Sequence, residues 1–446
     1  MNITTSYAIE IRHMNKIFKP TVEIFNEAVS FCIPAFEKHW SDLCKIKGIL
    51  NQRAFGERLI HTTKNHTAVF PEFDVKFYKM PIYMMRSVIN TALGHLRSYH
   101  SNLDNWYNNG CKGRQPKLQT KLHVFPTFFK DNMSKLEALD NDKAYLKLFI
   151  DNDWKWVTVQ LKHTDMQYIR KHCLHKGMSA PILEKKHHKY FLRFVFEEQV
   201  NLKNAPVKEQ RILAIDLGIN TDATCSVMSS DGAILARKFI NFPCEKDHLA
   251  HTLNKIKKVS RKYKGHNVAK LWRDAKAQND ELARKIAKDI AEFAVLYDVD
   301  VIVFEHLDTK GKKKGFKSKK QKLHMWKALA VQSIVTNKAH SNGMRISYVC
   351  AWNTSKLAFD GSGTVIRGTK SGFNTHELCK FQNGKTYNCD LNASYNIGAR
   401  YFIRELLKPL SVTVRSCVLA KVPECMSRIQ CTYNTLLKLN NAVYKY

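Results

Sequence analysis

The chain has 446 residues, 44% of them hydrophobic, and 72 Lys+Arg against 39 Asp+Glu give a formal net charge of +33. That length allows about three domains with substantial cores, and so large a basic surplus exceeds what solubility needs, which points to a polyanionic partner, nucleic acid above all. No apolar run reaches about 18 residues and the opening MNITTSYAIEIRHM lacks the charged-then-apolar order of a signal peptide, so a cytoplasmic protein with no membrane partner is expected.

Twelve cysteines without such a signal read as free thiols or metal ligands, and no CxxC pair occurs among them. The first elements are an alternating strand, Tyr7 to Ile11, and a helix from Thr21 to His39 with Val22, Phe25, Ala28, Phe31 and Cys32 on one face. Pro81 opens a second helix, striped by Met85, Ile89, Leu93, Leu96 and Tyr99. These form a small helical module, and the stripes read as core.

From Gly110 the texture changes. Lys112, Arg114, Lys117, Lys121 and Lys130 stand among Phe125, Phe128 and Phe129 with no acid between them. That pattern suits phosphate contact with base stacking, and equally a solvated loop leading into a strand. Two hairpins follow, Tyr145 to Leu161 around Asp151-Asn152-Asp153 and Pro181 to Glu197 around Lys185-Lys186. Residues 115–205 are thus strand-rich, and with the opening strand they predict a β-barrel beside the helical module.

PVKEQ at 206–210 reads as a linker. RILAIDLGIN, 211–220, then reads as a buried strand that places Asp216 before a glycine. Thr224 to Met228 and Ile234 to Ile240, split by Ser230-Asp231-Gly232, complete an antiparallel meander. A long helical region carries Leu249, Leu253, Ile256 and Tyr263 on one stripe, breaks near Gly265, and continues with Leu282, Ile286, Ile290 and Phe293. VDVIVF, 299–304, is a short strand delivering Glu305. The tract from Lys310 to Lys322 holds eight lysines and no acid, a loop suited to phosphates. A helix from about Leu323 to Asn342 and a strand from Arg345 to Val349 follow. After a glycine-rich insert, 351–388, CDLNASYNIGARYFIREL predicts a helix with Asp390 at its N-cap. The last forty residues read as one or two further helices.

Meander, helices, strand, helix, strand and final helix are the element order of the ribonuclease-H-like fold, within an α+β multidomain chain. In that arrangement Asp216, Glu305 and Asp390 converge. Three carboxylates in one pocket repel one another unless hard divalent cations sit among them, and two Mg2+ (or Mn2+) ions there suit phosphodiester hydrolysis. Each acid alone has an ordinary reading: a kinase-like turn for Asp216, an exposed strand end for Glu305, a helix cap for Asp390. Their joint order favours a nuclease.

DLGIN, VFEHL and CDLNASYNIGARY resemble the three RuvC motifs of the TnpB-type transposon-encoded nucleases and of the compact type V CRISPR effectors related to them. The resemblance implies an RNA-guided DNA endonuclease in which a guide RNA pairs with target double-stranded DNA beside a short protein-read motif. It assigns Asp216, Glu305 and Asp390 as catalytic metal ligands. It further implies a wedge-like β-barrel at 1–19 and 113–207 and a helical recognition module at 20–112. A RuvC-like domain is then split between 208–349 and 390–446, around a degenerate zinc-ribbon-like insert at 350–389. The lysine tract, with Lys312, Lys313, Lys314, Lys317, Lys319 and Lys320, falls where the family has a lid-like loop, and Trp326 matches a tryptophan of the following helix.

The ribbon motif departs from the family, since NTSKLAFDGSG stands where its first cysteine pair would be. Zn2+ would have Cys350, His376, Cys379 and Cys389 as its irregular ligand set. His306 stands where the family often has Asp. The resemblance also allows a homodimer on one guide RNA, and places the protein on the nucleoid of a prokaryote when bound to DNA. The alternatives are a guide-RNA-dependent DNA-binding protein with weak catalysis, a DDE-type transposase, whose third acid is normally Glu, and an actin-like ATPase, which would need a second glycine-rich phosphate turn.

Overall fold

The computed structural model describes residues 1–13, 16–136, 141–262, 267–307, 327–368, 372–373 and 377–443. They form a mixed α+β chain of two compact units, one of Asn2–Gln199 and one of Val200–Tyr446 together with Met1. Among the described residues no helix is long and apolar enough to cross a membrane.

In the first unit the strands are β1 (Asn2–Arg12), β2 (Ser134–Leu136), β3 (Lys143–Ile150), β4 (Asp153–Leu161), β5 (Gly177–Met178), β6 (Ile182–Lys186) and β7 (Lys189–Gln199). They make a seven-stranded sheet in the order β2-β3-β4-β1-β7-β5, with β6 on β7. β1 runs well beyond the five residues its alternation predicts, because it pairs antiparallel with β7 from Asn2↔Gln199 to Glu10↔Phe191, and its end pairs with β4. Backbone pairing extends a strand whatever the side-chain pattern.

The β3–β4 hairpin turns on Asp151 and Asn152, both at positive φ (51° and 55°), as a two-residue type I′ turn requires. The second hairpin turns at His187-His188, two residues beyond Lys185-Lys186. Those lysines stay in β6 and lie over the Tyr190 and Phe191 rings at 5.1 and 5.7 Å. The helices Phe18–Glu37 and Ile82–Asn108 realise the two predicted stripes, with Val22, Phe25, Ala28 and Cys32 buried alongside Met85, Ile89, Leu93 and Leu96. A helix at His163–Cys173 has no counterpart in the sequence reading. Only Met166, Ile169 and Cys173 are buried along it, too few to stand out as a period.

In the second unit, β8 (Arg211–Asp216), β9 (Ala223–Ser229), β10 (Ile234–Ile240), β11 (Val301–His306) and β12 (Arg345–Cys350) form a five-stranded sheet in the order β10-β9-β8-β11-β12. The first three are the antiparallel meander, while β11 runs parallel to both β8 and β12. Alternation along the strands divides the core. Leu213, Ile215, Ile302 and Phe304 pack with the helices Ala269–Leu296 and Ala328–Ser341. Ile212, Ala214, Val301 and Val303 pack with the helices Cys389–Leu407 and Tyr433–Val443. A separate three-stranded sheet of β13 (Ile366–Arg367), β14 (Leu378–Lys380) and β15 (Thr386–Asn388) lies in the glycine-rich insert, and Val412–Lys421 is a further short helix.

Candidate active site

Parity along the strands places the first two acids. Asp216 has the parity of Ile212 and Ala214, and Glu305 that of Val301 and Val303, so both belong to the face covered by the helix Cys389–Leu407. The parallel register pairs Ile212 with Val301 and Ile215 with Phe304, and its continuation sets Asp216 opposite Glu305.

The third acid comes from that helix, which packs closely on the sheet. Ser394 Oγ and Ser226 Oγ are 2.6 Å apart, and Gly398 lies under β8 and β9. A Cβ at Gly398 would stand 2.9 Å from Met228 Cε and 3.2 Å from Ala214 Cβ, so the approach depends on the missing side chain. Asp390 lies one turn before Ser394 on the same face. Asp390 is not the N-cap. Asn388 is, its side-chain oxygen accepting the N–H of Asp390 at 3.0 Å and of Leu391 at 2.9 Å. The cap is thereby filled and the Asp390 carboxylate is left for the site.

Electrostatics tie the three acids together. Burial, then the charges of Glu305 and Asp390, push the Asp216 carboxyl well above the usual range, while the Arg367 guanidinium pulls it down. Burial also raises Glu305, opposed by the Thr354 hydroxyl that donates to its Oε1 and by Arg400. Burial raises Asp390, opposed by the Thr221 hydroxyl and Arg367. Like charges held out of water in this way call for a cation.

All three donors are carboxylate oxygens, the chemistry Mg2+ takes, and Mg2+ keeps several waters and needs only one or two carboxylates. Among the described residues no three or more His, Cys, Asp or Glu side chains are gathered so as to hold a metal ion. The acids match a hydrated ion in donor type and charge, and in this structure they do not form a metal-holding group.

Sequence reasoning missed the residues that support the acids. Thr354 and Arg367 come from the insert. Gln332 donates to the Glu305 carbonyl at 3.0 Å. Arg400 donates to the carbonyls of Cys350 and Trp352 at 2.6 and 2.7 Å, fixing the loop that carries Thr354. The one sequence signal for Arg400 is a charged residue amid the stretch 395–403 of a helix predicted to be buried. His306 is exposed beyond Glu305.

Of the zinc set, Cys379 and Cys389 adjoin, and the hydrogen bond they share raises Cys379 and lowers Cys389. Both are buried with Ala358 and Phe381. Cys350 instead lies beside Arg400, and His376 is outside the described residues. Lys112, Arg114, Lys117 and Lys121 are exposed. Phe128 is fully buried, and Phe125 and Phe129 pack on the core of their unit. The basic stretch is therefore a loop anchored by its phenylalanines. Lys312, Lys313, Lys314, Lys317, Lys319, Lys320 and Trp326 lie outside the described residues.

Comparison with known proteins finds the following similarities. Residues 4–150 match the model of the Aq_aa04 family. A TnpB-like protein of Aquifex aeolicus (strain VF5) is 23% identical over 243 residues, covering 50% of this chain and 77% of that protein. Among solved structures, a Cas12f1–sgRNA–target DNA complex matches at a TM-score of 0.49 and 15% identity, over 89% of this chain and 98% of that one. Alicyclobacillus acidoterrestris C2c1 with single-guide RNA matches at 0.47 and 9%, over 87% and 69%. Across half of its length this chain is thus similar to a curated TnpB-like protein.

Proposed function

We propose that the chain is an RNA-guided DNA endonuclease whose second unit is a ribonuclease-H-like, RuvC-type domain and whose first unit is a wedge-like barrel with an inserted helical recognition module. The observation that carries this reading is that Asp216 and Glu305 stand at the ends of two paired parallel strands on one face, with Asp390 in the first turn of the helix packed across that face. Asp216, Glu305 and Asp390 would hold Mg2+ or Mn2+, which supplies charge neutralisation and an acidified water for phosphodiester hydrolysis. The chain's own residues do the positioning. Thr354 orients Glu305, the Asn388 cap fixes the turn bearing Asp390, and Arg367 offsets negative charge beside Asp216 and Asp390.

Guide RNA and target DNA are the proposed partners, in keeping with the net charge of +33; a homodimer has no support among these observations. The insert is read as a ribbon held by packing around Cys379 and Cys389, without zinc. The test is to sequence RNA that copurifies with the chain, then to supply a matched DNA duplex with Mg2+. The intact protein should cut it, and Asp216→Ala should retain the RNA without cutting. Cleavage that persists in Asp216→Ala, or the absence of bound RNA, would refute the proposal.

A further inference from the structure

Away from the three acids, the second unit has a cavity of about 520 Å3 between β12, the helices Cys389–Leu407 and Val412–Lys421, and the segment leading to Cys431. Arg400, Arg404, Lys408, Arg415 and Arg428 line it, and among the described residues no Asp or Glu does. Three of these cations, Lys408, Arg415 and Arg428, have no carboxylate partner among the described residues, and their convergence on one space favours an anion there.

Two of the five are fixed in place. Arg400 is buried, its guanidinium donates to the carbonyls of Cys350, Trp352, Ile429 and Cys431, and its charge also acts on Glu305. Arg404 donates to the Tyr348 carbonyl and to Ser347 Oγ and pairs with Glu405 at 2.8 Å. The other three are exposed at the mouth, and among the described residues the side chains of Lys408, Arg415 and Arg428 make no hydrogen bond or ion pair. Glu424, a nearby acid, is already paired with Lys438 at 2.8 Å. Two free guanidinium groups lining one space match a tetrahedral oxyanion. The remaining wall is apolar and partly exposed, with Tyr348 and Met426 presenting surface on which a planar base can lie.

We infer that this cavity binds a nucleotide by its phosphate, with Arg415 and Arg428 holding the phosphate oxygens and the base against Tyr348 and Met426. Binding there does not depend on cleavage at Asp216. Through Arg400 the cavity is nonetheless tied to the catalytic loop, since the guanidinium that lines it also holds the Cys350 and Trp352 carbonyls just before Thr354.

The test is equilibrium dialysis of the full chain against radiolabelled dAMP, with inorganic phosphate and deoxyadenosine as competitors. Arg415→Gln/Arg428→Gln is compared with Lys255→Gln/Lys258→Gln, an equal charge loss on an exposed helix of the same unit. Saturable binding is expected, lost at least tenfold in the arginine pair and retained in the lysine pair, with both variants keeping the parent melting temperature. Tyr348→Ala, which spares the arginines, should also weaken dAMP while leaving phosphate binding unchanged. Equal loss in the lysine pair, or no saturable binding, would reduce the cavity to general basic surface and overturn the inference. Displacement of dAMP by inorganic phosphate at equal concentration would overturn it in favour of a free-phosphate site.

Discussion

The side chain of Asn388 accepts the backbone N–H of Asp390 at 3.0 Å. One residue thus closes the helix start and its neighbour but one is released to carry charge. Asn388→Ala should cost about 1 kcal/mol of stability, the usual worth of an N-cap, and should lower cleavage by disordering the turn that bears Asp390. Asn388→Ser should recover most of the stability. Denaturant melts of the three proteins check this, and equal stabilities would remove Asn388 from the role of cap.

Asp216 carries the cost of the site. Its carboxyl is raised well above the usual range by burial and by Glu305 and Asp390, so the folded chain retains a proton that the unfolded chain releases. The metal-free protein should therefore lose stability as pH rises from about 4, the ordinary Asp value, through that raised value. Asp216→Asn should flatten this fall and raise the melting temperature at neutral pH by roughly 2–4 °C for each kcal/mol of repulsion removed. Mg2+ should stabilise the parent and leave the variant nearly unmoved. Thermal scans across pH, with and without Mg2+, would expose a contrary result as a destabilised variant at neutral pH.

Thr354 donates to Glu305 and so favours its charged form. Thr354→Val removes the donor and should raise the Glu305 carboxyl further. Activity that needs the carboxylate should then begin at a higher pH, while Thr354→Ser should restore the parent profile. A pH–rate curve whose acid limb does not move would detach Thr354 from the chemistry.

Gly398 lets the helix Cys389–Leu407 rest on Ala214 and Met228. Gly398→Val should cost about 1–3 kcal/mol through overpacking and should draw Asp390 away from Asp216, reducing activity more than RNA binding. Retained activity in a destabilised variant would show that the convergence of the acids tolerates this displacement.

The lysines between residues 310 and 322 lie outside the described residues, yet their charge alone makes a prediction. Neutralising Lys312, Lys313 and Lys314 should weaken nucleic-acid binding and flatten its salt dependence by up to about 0.9 log units for each phosphate left without its cation. An unchanged slope would assign those lysines elsewhere.

Sequence alone determined the strands that deliver Asp216 and Glu305 and the helix that begins beside Asp390, because a buried strand and a buried helix must carry local apolar patterns that can be read. It also determined the basic balance, a formal net charge of +33. Only the tertiary structure decided which residue caps the last helix, that Phe125, Phe128 and Phe129 are spent on the core, and that Cys350 stands apart from Cys379 and Cys389. The reason is that hydrogen-bond partners and charge pairs join residues far apart in the chain, as Thr354 joins Glu305 and Arg400 joins Cys350. No periodicity records such a meeting. Asp216 was legible as an acid at the end of a strand; that Glu305 and Asp390 raise its carboxyl, and Arg367 restrains it, is a property of the folded chain.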